Sequence, residues 1–194
     1  MRVVLATANA GKLRELEALL APRGLTLLSQ AELGVTSAAE TGTTFEENAL
    51  LKARHAAYGS GLPALADDSG LEVDALGGRP GVHSARYAGE GVTDAANCAL
   101  LLRELLGFAD ADRGARYRCV IAMVRSADDP SPLLAAGAWE GRIAQQPAGH
   151  GGFGYDPLFI PSGQLETVAQ MPDAAKNAAS HRALALQQLL AQLR

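Results

Sequence analysis

Apolar residues fall in short runs separated by polar or glycine-containing breaks, and the period within each run predicts its element. Arg2 to Thr7 holds the unbroken stretch Val3-Val4-Leu5-Ala6 of a buried strand. Leu13, Leu16, Leu19 and Leu20 then mark one face of a helix, with Pro22 and Gly24 as its stop. Leu25 to Ser29 is a second strand, so the chain opens strand, helix, strand, the order that favours parallel pairing and an α/β class. A helix over Phe45 to Tyr58 is announced by the capping box Thr44-x-x-Glu47 and is expected to close at Gly59. Ala64 to Ala66 and Leu71 to Val73 flank an acidic turn, Gly77 to Gly81 reads as a loop, and Asp94 to Leu106 is an amphipathic helix ending at Gly107.

The second half reads mostly as strands. Tyr117 to Val124, Leu133 to Trp139 and Arg142 to Ala144 are separated by Asp128-Asp129-Pro130 and by Gly141, and are expected to be antiparallel. Leu158 to Ile160 is a short strand, and Asp173 to Leu193 reads as one Leu/Ala helix. Parallel and antiparallel parts would then share a mixed sheet within a single domain, residues 1–194, that has room for two lobes.

Composition narrows the function classes. With 17 basic against 21 acidic residues the net charge is -4, which disfavours a broad nucleic-acid or membrane surface. Cys98 and Cys119 have neither the spacing nor the histidine company of a disulfide scaffold or zinc site, so a reducing cytoplasm fits best. The apolar start is shorter than the ~7–15 residues of a signal-peptide core, and no run approaches the ~18 residues of a membrane span. Lysine is scarce: Lys12, Lys52 and Lys176 are its only occurrences among many arginines.

Four segments carry candidate chemistry. Thr7-Ala8-Asn9-Ala10-Gly11-Lys12 leads from the first strand into a helix, where backbone N–H groups and the dipole favour an anion. It lacks the glycine and hydroxyl pattern of a P-loop, and phosphate donation by Thr7, Asn9 and Lys12 competes with a plain helix cap. Asp67-Asp68-Ser69-Gly70 ends a strand, where open α/β sheets place ligands. Neighbouring strand positions face opposite ways, so one carboxylate would hold Mg²⁺ or take a proton from water while the other orients or caps, against the alternative of an Asx turn. Glu40 is either a second metal carboxylate or a solvated loop charge.

Gly149 to Gly154 matches G-x-G-x-x-G, but it leads through Tyr155-Asp156-Pro157 into a strand rather than a helix, against a dinucleotide fingerprint. The loop either presents Phe153 and Tyr155 to a base, with Asp156 accepting a ring N–H, or covers the core as a tight turn. In the last helix Lys176 and Ser180 are i, i+4 neighbours, followed by His181 and Arg182, donors suited to a keto oxygen or phosphate but equally to surface ion pairs. Lys52 shares a helical face with Ala49 and Ala56, and is either a snorkelling stem or a contact to substrate or an acidic partner.

Together these segments resemble the inosine triphosphate pyrophosphatase family. The resemblance runs through Thr7-x-Asn9-x-x-Lys12, Glu40-Thr41-Gly42, Thr44-Phe45 with Glu47-Asn48-Ala49, and Asp67-Asp68-Ser69-Gly70-Leu71. It continues through Gly78-x-Pro80-Gly81, Ser84-Ala85-Arg86-Tyr87, Gly151-Gly152-Phe153-Gly154-Tyr155-Asp156-Pro157 and Lys176-x-x-x-Ser180-His181-Arg182. Where the family carries an acidic residue before the lysine, this chain has Ala175.

The resemblance implies an α/β fold with a long mixed β-sheet flanked by helices, two lobes with a nucleotide cleft between them, a homodimer and a Mg²⁺ cofactor. It implies hydrolysis of dITP, ITP, XTP and dXTP to the monophosphate and pyrophosphate. Asp68 would be the general base and, with Glu40, a metal ligand. Lys12, with Thr7, Asn9 and the amides of Ala8, Asn9, Ala10 and Gly11, would neutralise the triphosphate and the pyrophosphate leaving group, and Ser69 would contact the substrate. Phe153 would stack on the purine, His181 and Arg182 would donate to its 6-keto oxygen and Asp156 or Lys176 would complete the edge, with Gly154 and Tyr155 also contacting the substrate and positive charge concentrated around the nucleotide. The rivals are a Maf-like nucleotide pyrophosphatase for other modified nucleotides and a non-catalytic nucleotide-binding module.

Overall fold

A computed structural model describes residues 2–20 and 25–193. Its strands are β1 (Arg2–Leu5), β2 (Thr26–Ser29), β3 (Ala64–Val73), β4 (Gly114–Val124), β5 (Leu133–Ile143) and β6 (Phe159–Pro161). The helices are α1 (Ala10–Leu20), α2 (Phe45–Ser60), α3 (Asp94–Glu104), α4 (Asp173–Ala179) and α5 (His181–Gln192). The strands form one six-stranded sheet in the order β2-β1-β3-β4-β5-β6. Strand β1 runs parallel to both neighbours, Val3 opposite Leu27 and Leu5 opposite Leu65. Strand β6 runs antiparallel to β5, with Arg142 opposite Ile160, so the sheet is mixed as the sequence pattern predicts.

Two compact units share the chain. The first comprises Met1–Asp68, Cys119–Gly137 and Arg182–Arg194, and the second Ser69–Arg118 and Ala138–His181. Each has its own core. In the first, Val3 and Leu5 of β1, Leu16 and Leu20 of α1, Ile121 of β4 and Leu186 and Leu189 of α5 pack together. In the second, Leu71, Leu101, Leu105, Leu158 and Phe159 do so, with Tyr117 and Tyr155 among them.

Several elements differ from their sequence expectation. Strand β3 runs unbroken through Asp67 and Asp68, where an acidic turn is expected. Both side chains are buried, and each finds cationic partners that remove the reason for the strand to break. Strand β5 passes through Gly141 without turning. A Cβ there would collide with the Ile160 carbonyl oxygen, so this glycine serves the close approach of β6. Helix α2 continues past Gly59 to Ser60, and Gly61 supplies the left-handed cap at φ 66°. Gly59 instead lets Val35 approach, since a Cβ would sit 3.0 Å from it.

The expected C-terminal helix is two helices. Ser180 is extended at φ -67°, ψ 158°, ending α4, and His181 opens α5. Lys176 and Ser180 therefore do not share a continuing helical face. Pro22 and Gly24, the expected stop of the first helix, lie outside the described residues.

Candidate active site

The first unit holds a cluster built on β3, α1 and α2. Helix α2 follows directly from its sequence: Thr44 Oγ1 accepts from the Glu47 N–H, and the Glu47 carboxylate accepts from the Thr43 and Thr44 amides. Its buried stripe of Phe45, Ala49, Ala53, Ala56 and Ala57 carries two polar residues, Asn48 and Lys52, one turn apart. Asn48 Nδ2 donates to Asp68 Oδ2 at 3.2 Å. The Lys52 ammonium donates to Asp68 Oδ1 at 2.9 Å and to Glu40 Oε1 at 2.7 Å.

Asp67, on the other face of the strand, meets different partners. Lys12 Nζ of α1 lies 3.1 Å from Asp67 Oδ2, and Arg182 Nε lies 3.4 Å from the same oxygen. The Arg182 guanidinium, about 1% exposed, also bonds the buried Glu15 of α1. Three cations thus face four carboxylates, Glu15, Glu40, Asp67 and Asp68. The opposed directions of Asp67 and Asp68 follow from the strand period, and the two carboxylates part chemically as well.

Burial pushes Asp67 upward, but Lys12, Arg182 and Lys52 outweigh it and hold this carboxyl well below the usual range. Asp68 goes the other way. Its desolvation is the largest effect and prevails over Lys52 and Lys12, with Glu40 adding to the rise. A carboxylate with a raised proton affinity, touching an amide and an ammonium, has the character of a general base.

The loop before α1 is partly committed. Asn9 Oδ1 accepts from the Gly11 N–H at 2.9 Å and the Lys12 N–H at 3.0 Å, while Thr7 Oγ1 accepts from the Asn9 N–H at 3.2 Å. Two of the expected phosphate-binding amides therefore serve the helix cap, while Ala8, Asn9 and Ala10 remain exposed. Ser69 follows Asp68 in β3 and is half-buried, in the second unit.

The second unit carries a second cluster centred on Asp156, a buried carboxylate whose sequence setting suggests only a base-facing acceptor. Asp156 Oδ2 accepts from Lys176 Nζ of α4 at 2.7 Å and from the Phe153 N–H at 2.9 Å. Asp156 Oδ1 accepts from the Tyr117 hydroxyl of β4 at 3.1 Å. The Lys176 ammonium also lies 4.5 Å from the centroid of the Phe153 ring. The His181 ring stacks on Tyr117, with centroids 4.7 Å apart and planes 11° from parallel. The loop is tied to α3 as well: the Gly154 N–H donates to Asp94 Oδ2 at 2.6 Å.

Tyr155 corrects the expectation of a two-ring face. It is buried in the core, its hydroxyl donating to the Ser84 carbonyl at 2.8 Å, so Phe153 alone of the pair is partly open. Arg182 sits with Glu15 and Asp67 in the first unit, while its neighbour His181 sits with Tyr117 in the second. The expected concentration of positive charge is also revised. Lys12 pairs with Asp67, Lys52 with Glu40 and Asp68, and Lys176 with Asp156, so every lysine has a carboxylate at hand.

The sequence alone gives no role to Glu15 or Tyr117, marks Asn48 only as part of the Glu47-Asn48-Ala49 motif, and leaves Lys52 open between two roles. The signal for α2 is present: Asn48 and Lys52 are the polar members, four apart, of a face otherwise made of alanine and phenylalanine. No comparable signal marks Tyr117, one aromatic in a strand where aromatics are ordinary.

A divalent cation would find suitable donors in the first cluster. Glu40 and Asp68 each aim a carboxylate oxygen at one cation, Lys52 Nζ, and hard carboxylate oxygens are what Mg²⁺ takes. Among the described residues no group of three or more His, Cys, Asp or Glu is arranged to hold a metal. Phosphate oxygens of a ligand would have to complete the shell, the usual arrangement for Mg²⁺.

Fold and clusters together describe an α/β protein with two buried carboxylates side by side on a sheet strand, each paired with lysine. The chain belongs to the Ham1 family, whose profile matches residues 3–192. A dITP/XTP pyrophosphatase from Shigella flexneri is 55% identical over 193 residues, covering 100% of this chain and 98% of that protein. Another from Thioalkalivibrio sulfidiphilus is 56% identical over 194 residues with the same coverage. The solved structure of a HAM1 protein from Coxiella burnetii matches with a TM-score of 0.91 at 49% identity, covering 100% of this chain and 98% of that one.

Proposed function

We propose that this protein is a Mg²⁺-dependent nucleoside triphosphate pyrophosphohydrolase that adds water across the α–β anhydride of dITP, ITP, XTP and dXTP. The products are the nucleoside monophosphate and pyrophosphate, and the role is to clear non-standard purines from the nucleotide pool. The observation that carries the reading is Asp68, its proton affinity raised, sharing the Lys52 ammonium with Glu40. The names of the relatives, dITP/XTP pyrophosphatase, support the same reaction.

Asp68 takes the proton of the attacking water, which its raised affinity favours, while Asn48 and Lys52 fix the carboxylate in one orientation. Lys12 and Lys52, with Thr7, Asn9 and the loop from Ala8 to Gly11, neutralise the triphosphate and the departing pyrophosphate. Both lysines are held by carboxylates, so the polyanion meets charges already positioned and little reorganisation is needed. Mg²⁺, held by Glu40 and Asp68 together with phosphate oxygens, would offset charge that the lysines leave uncompensated.

Base selection belongs to Phe153, Gly154, Asp156, Lys176, His181 and Arg182. Phe153 offers a stacking face, and the donors suit the 6-keto oxygen of hypoxanthine or xanthine. Adenine presents a donor there, and a site built to hydrogen-bond one group rejects an analogue lacking it by up to ~10⁴-fold. The protein acts in the cytoplasm as a homodimer. Cys98 and Cys119 are buried and free, and no helix among the described residues is long and apolar enough to cross a membrane.

Incubation with dITP, dGTP and dATP in Mg²⁺ tests the reading. Turnover of dITP well above the other two, with pyrophosphate as the inorganic product, is expected. Orthophosphate as product overturns the reaction, and equal rates on all three overturn the specificity.

A further inference from the structure

Tyr117 bridges the two arms of the Asp156 cluster. Its hydroxyl donates to Asp156 Oδ1 at 3.1 Å, and its ring carries the His181 imidazole in a near-parallel stack, 4.7 Å between centroids. Phe159 backs the same ring edge-on at 4.7 Å. The other oxygen of Asp156 binds Lys176 and the Phe153 amide, and a Cβ at Gly152 would collide with that oxygen, so the 149–155 loop is packed directly onto the carboxylate. Asp156 is thus tied to the Lys176 ammonium and the Phe153 backbone, and Lys176 in turn lies against the Phe153 ring.

Packing does not explain the hydroxyl. A phenylalanine would fill the same volume and keep both ring contacts, whereas a buried phenol loses water and has to find a partner. The partner it has is the carboxylate that orients the loop. Burial and the Asp156 charge both push the phenol's proton affinity up, so it remains a donor throughout the neutral range.

We propose that Tyr117 is a positioning residue for base recognition, setting the Asp156 carboxylate by its hydroxyl and the His181 ring by its face. This rests on the assignment of Asp156, Lys176, Phe153 and His181 to the base. Tyr117 itself touches no reacting atom, so its removal acts on substrate capture and selectivity and leaves the hydrolytic step intact.

The test is steady-state kinetics with ITP and ATP on the wild type, Tyr117→Phe, Tyr117→Leu and a core control, Leu101→Val, with melting temperatures for all four. A hydrogen bond to a charged acceptor sets the scale: Tyr117→Phe is expected to raise KM for ITP about tenfold and leave kcat within about twofold. Its preference for ITP over ATP narrows, and Tyr117→Leu, which also loses the stack, narrows it further. Leu101→Val lowers the melting temperature with KM and preference unchanged. Calorimetric titration with inosine monophosphate gives the same weakening for Tyr117→Phe without turnover. Wild-type KM and preference in Tyr117→Phe, or a loss confined to kcat, overturns the inference alone. A wild type that does not hydrolyse ITP overturns the functional reading, and this inference with it.

Discussion

Adjacent carboxylates on β3 illustrate how neighbours acquire different chemistry. Asp67 is buried against Lys12 and Arg182, whereas Asp68 touches Asn48 and Lys52, with Glu40 on the same ammonium. Asp68→Asn keeps the shape, removes the proposed base, and is expected to lower kcat by at least ~10²-fold, measured as pyrophosphate release. The acid limb of kcat/KM should lie above the ordinary aspartate value of ~3.9, because Asp68 binds its proton more tightly than usual and, as the proposed base, has to be deprotonated. Lys52→Met removes a cation that favours the ionised form, so the limb should move to higher pH, whatever happens to the maximal rate. A limb that stays in place would show that Lys52 does not set the base.

Asp67 has the opposite linkage. Its folded-state proton affinity lies below the unfolded one, so its contribution to stability is complete above about pH 4 and is lost as pH falls toward the folded value. Thermal melts of the wild type from pH 7 to pH 3 should show this loss. Asp67→Asn should be less stable at pH 7 by about 3–5 kcal/mol, since Lys12 and Arg182 lose a buried partner, and should lose less on acidification.

At the level of elements, the legible features were those written in local chemistry. The capping box that opens α2 is formed as its residues foretell, and Thr44→Ala is expected to lower stability by about 1 kcal/mol, measured by denaturant titration. The alternating and continuous apolar runs placed β1, β2 and β4 within a few residues. Local pattern and structure part where a residue that ordinarily breaks an element has a tertiary purpose. Gly141 stands for a turn in sequence but is a contact point between β5 and β6, so Gly141→Ala should lower the melting temperature through a collision worth about 1–3 kcal/mol. Asp67-Asp68-Ser69-Gly70 has the composition of a turn and is strand, because distant cations accept its charges. Ser180 gives little local sign of a break, yet its extended backbone separates α4 from α5 and gives His181 and Arg182 separate surroundings.

For the whole molecule, the net charge of -4 disfavours long polyanions but does not forbid a single triphosphate. All three lysines are drawn into carboxylate pairs within the two clusters. Light scattering in solution is expected to give the mass of a homodimer; a monomer at working concentration would overturn that part of the proposal. The sequence by itself determined the α/β class, the mixed sheet and most of the candidate site, because periodicity and short motifs are local properties of the chain. Only the tertiary structure decided how the charges pair, that Tyr155 is core while Phe153 is partly open, and that Tyr117 joins Asp156 to His181. Those outcomes depend on which residues, 39 and 64 positions apart in the last case, the fold brings within hydrogen-bond or stacking distance, and no local pattern encodes that.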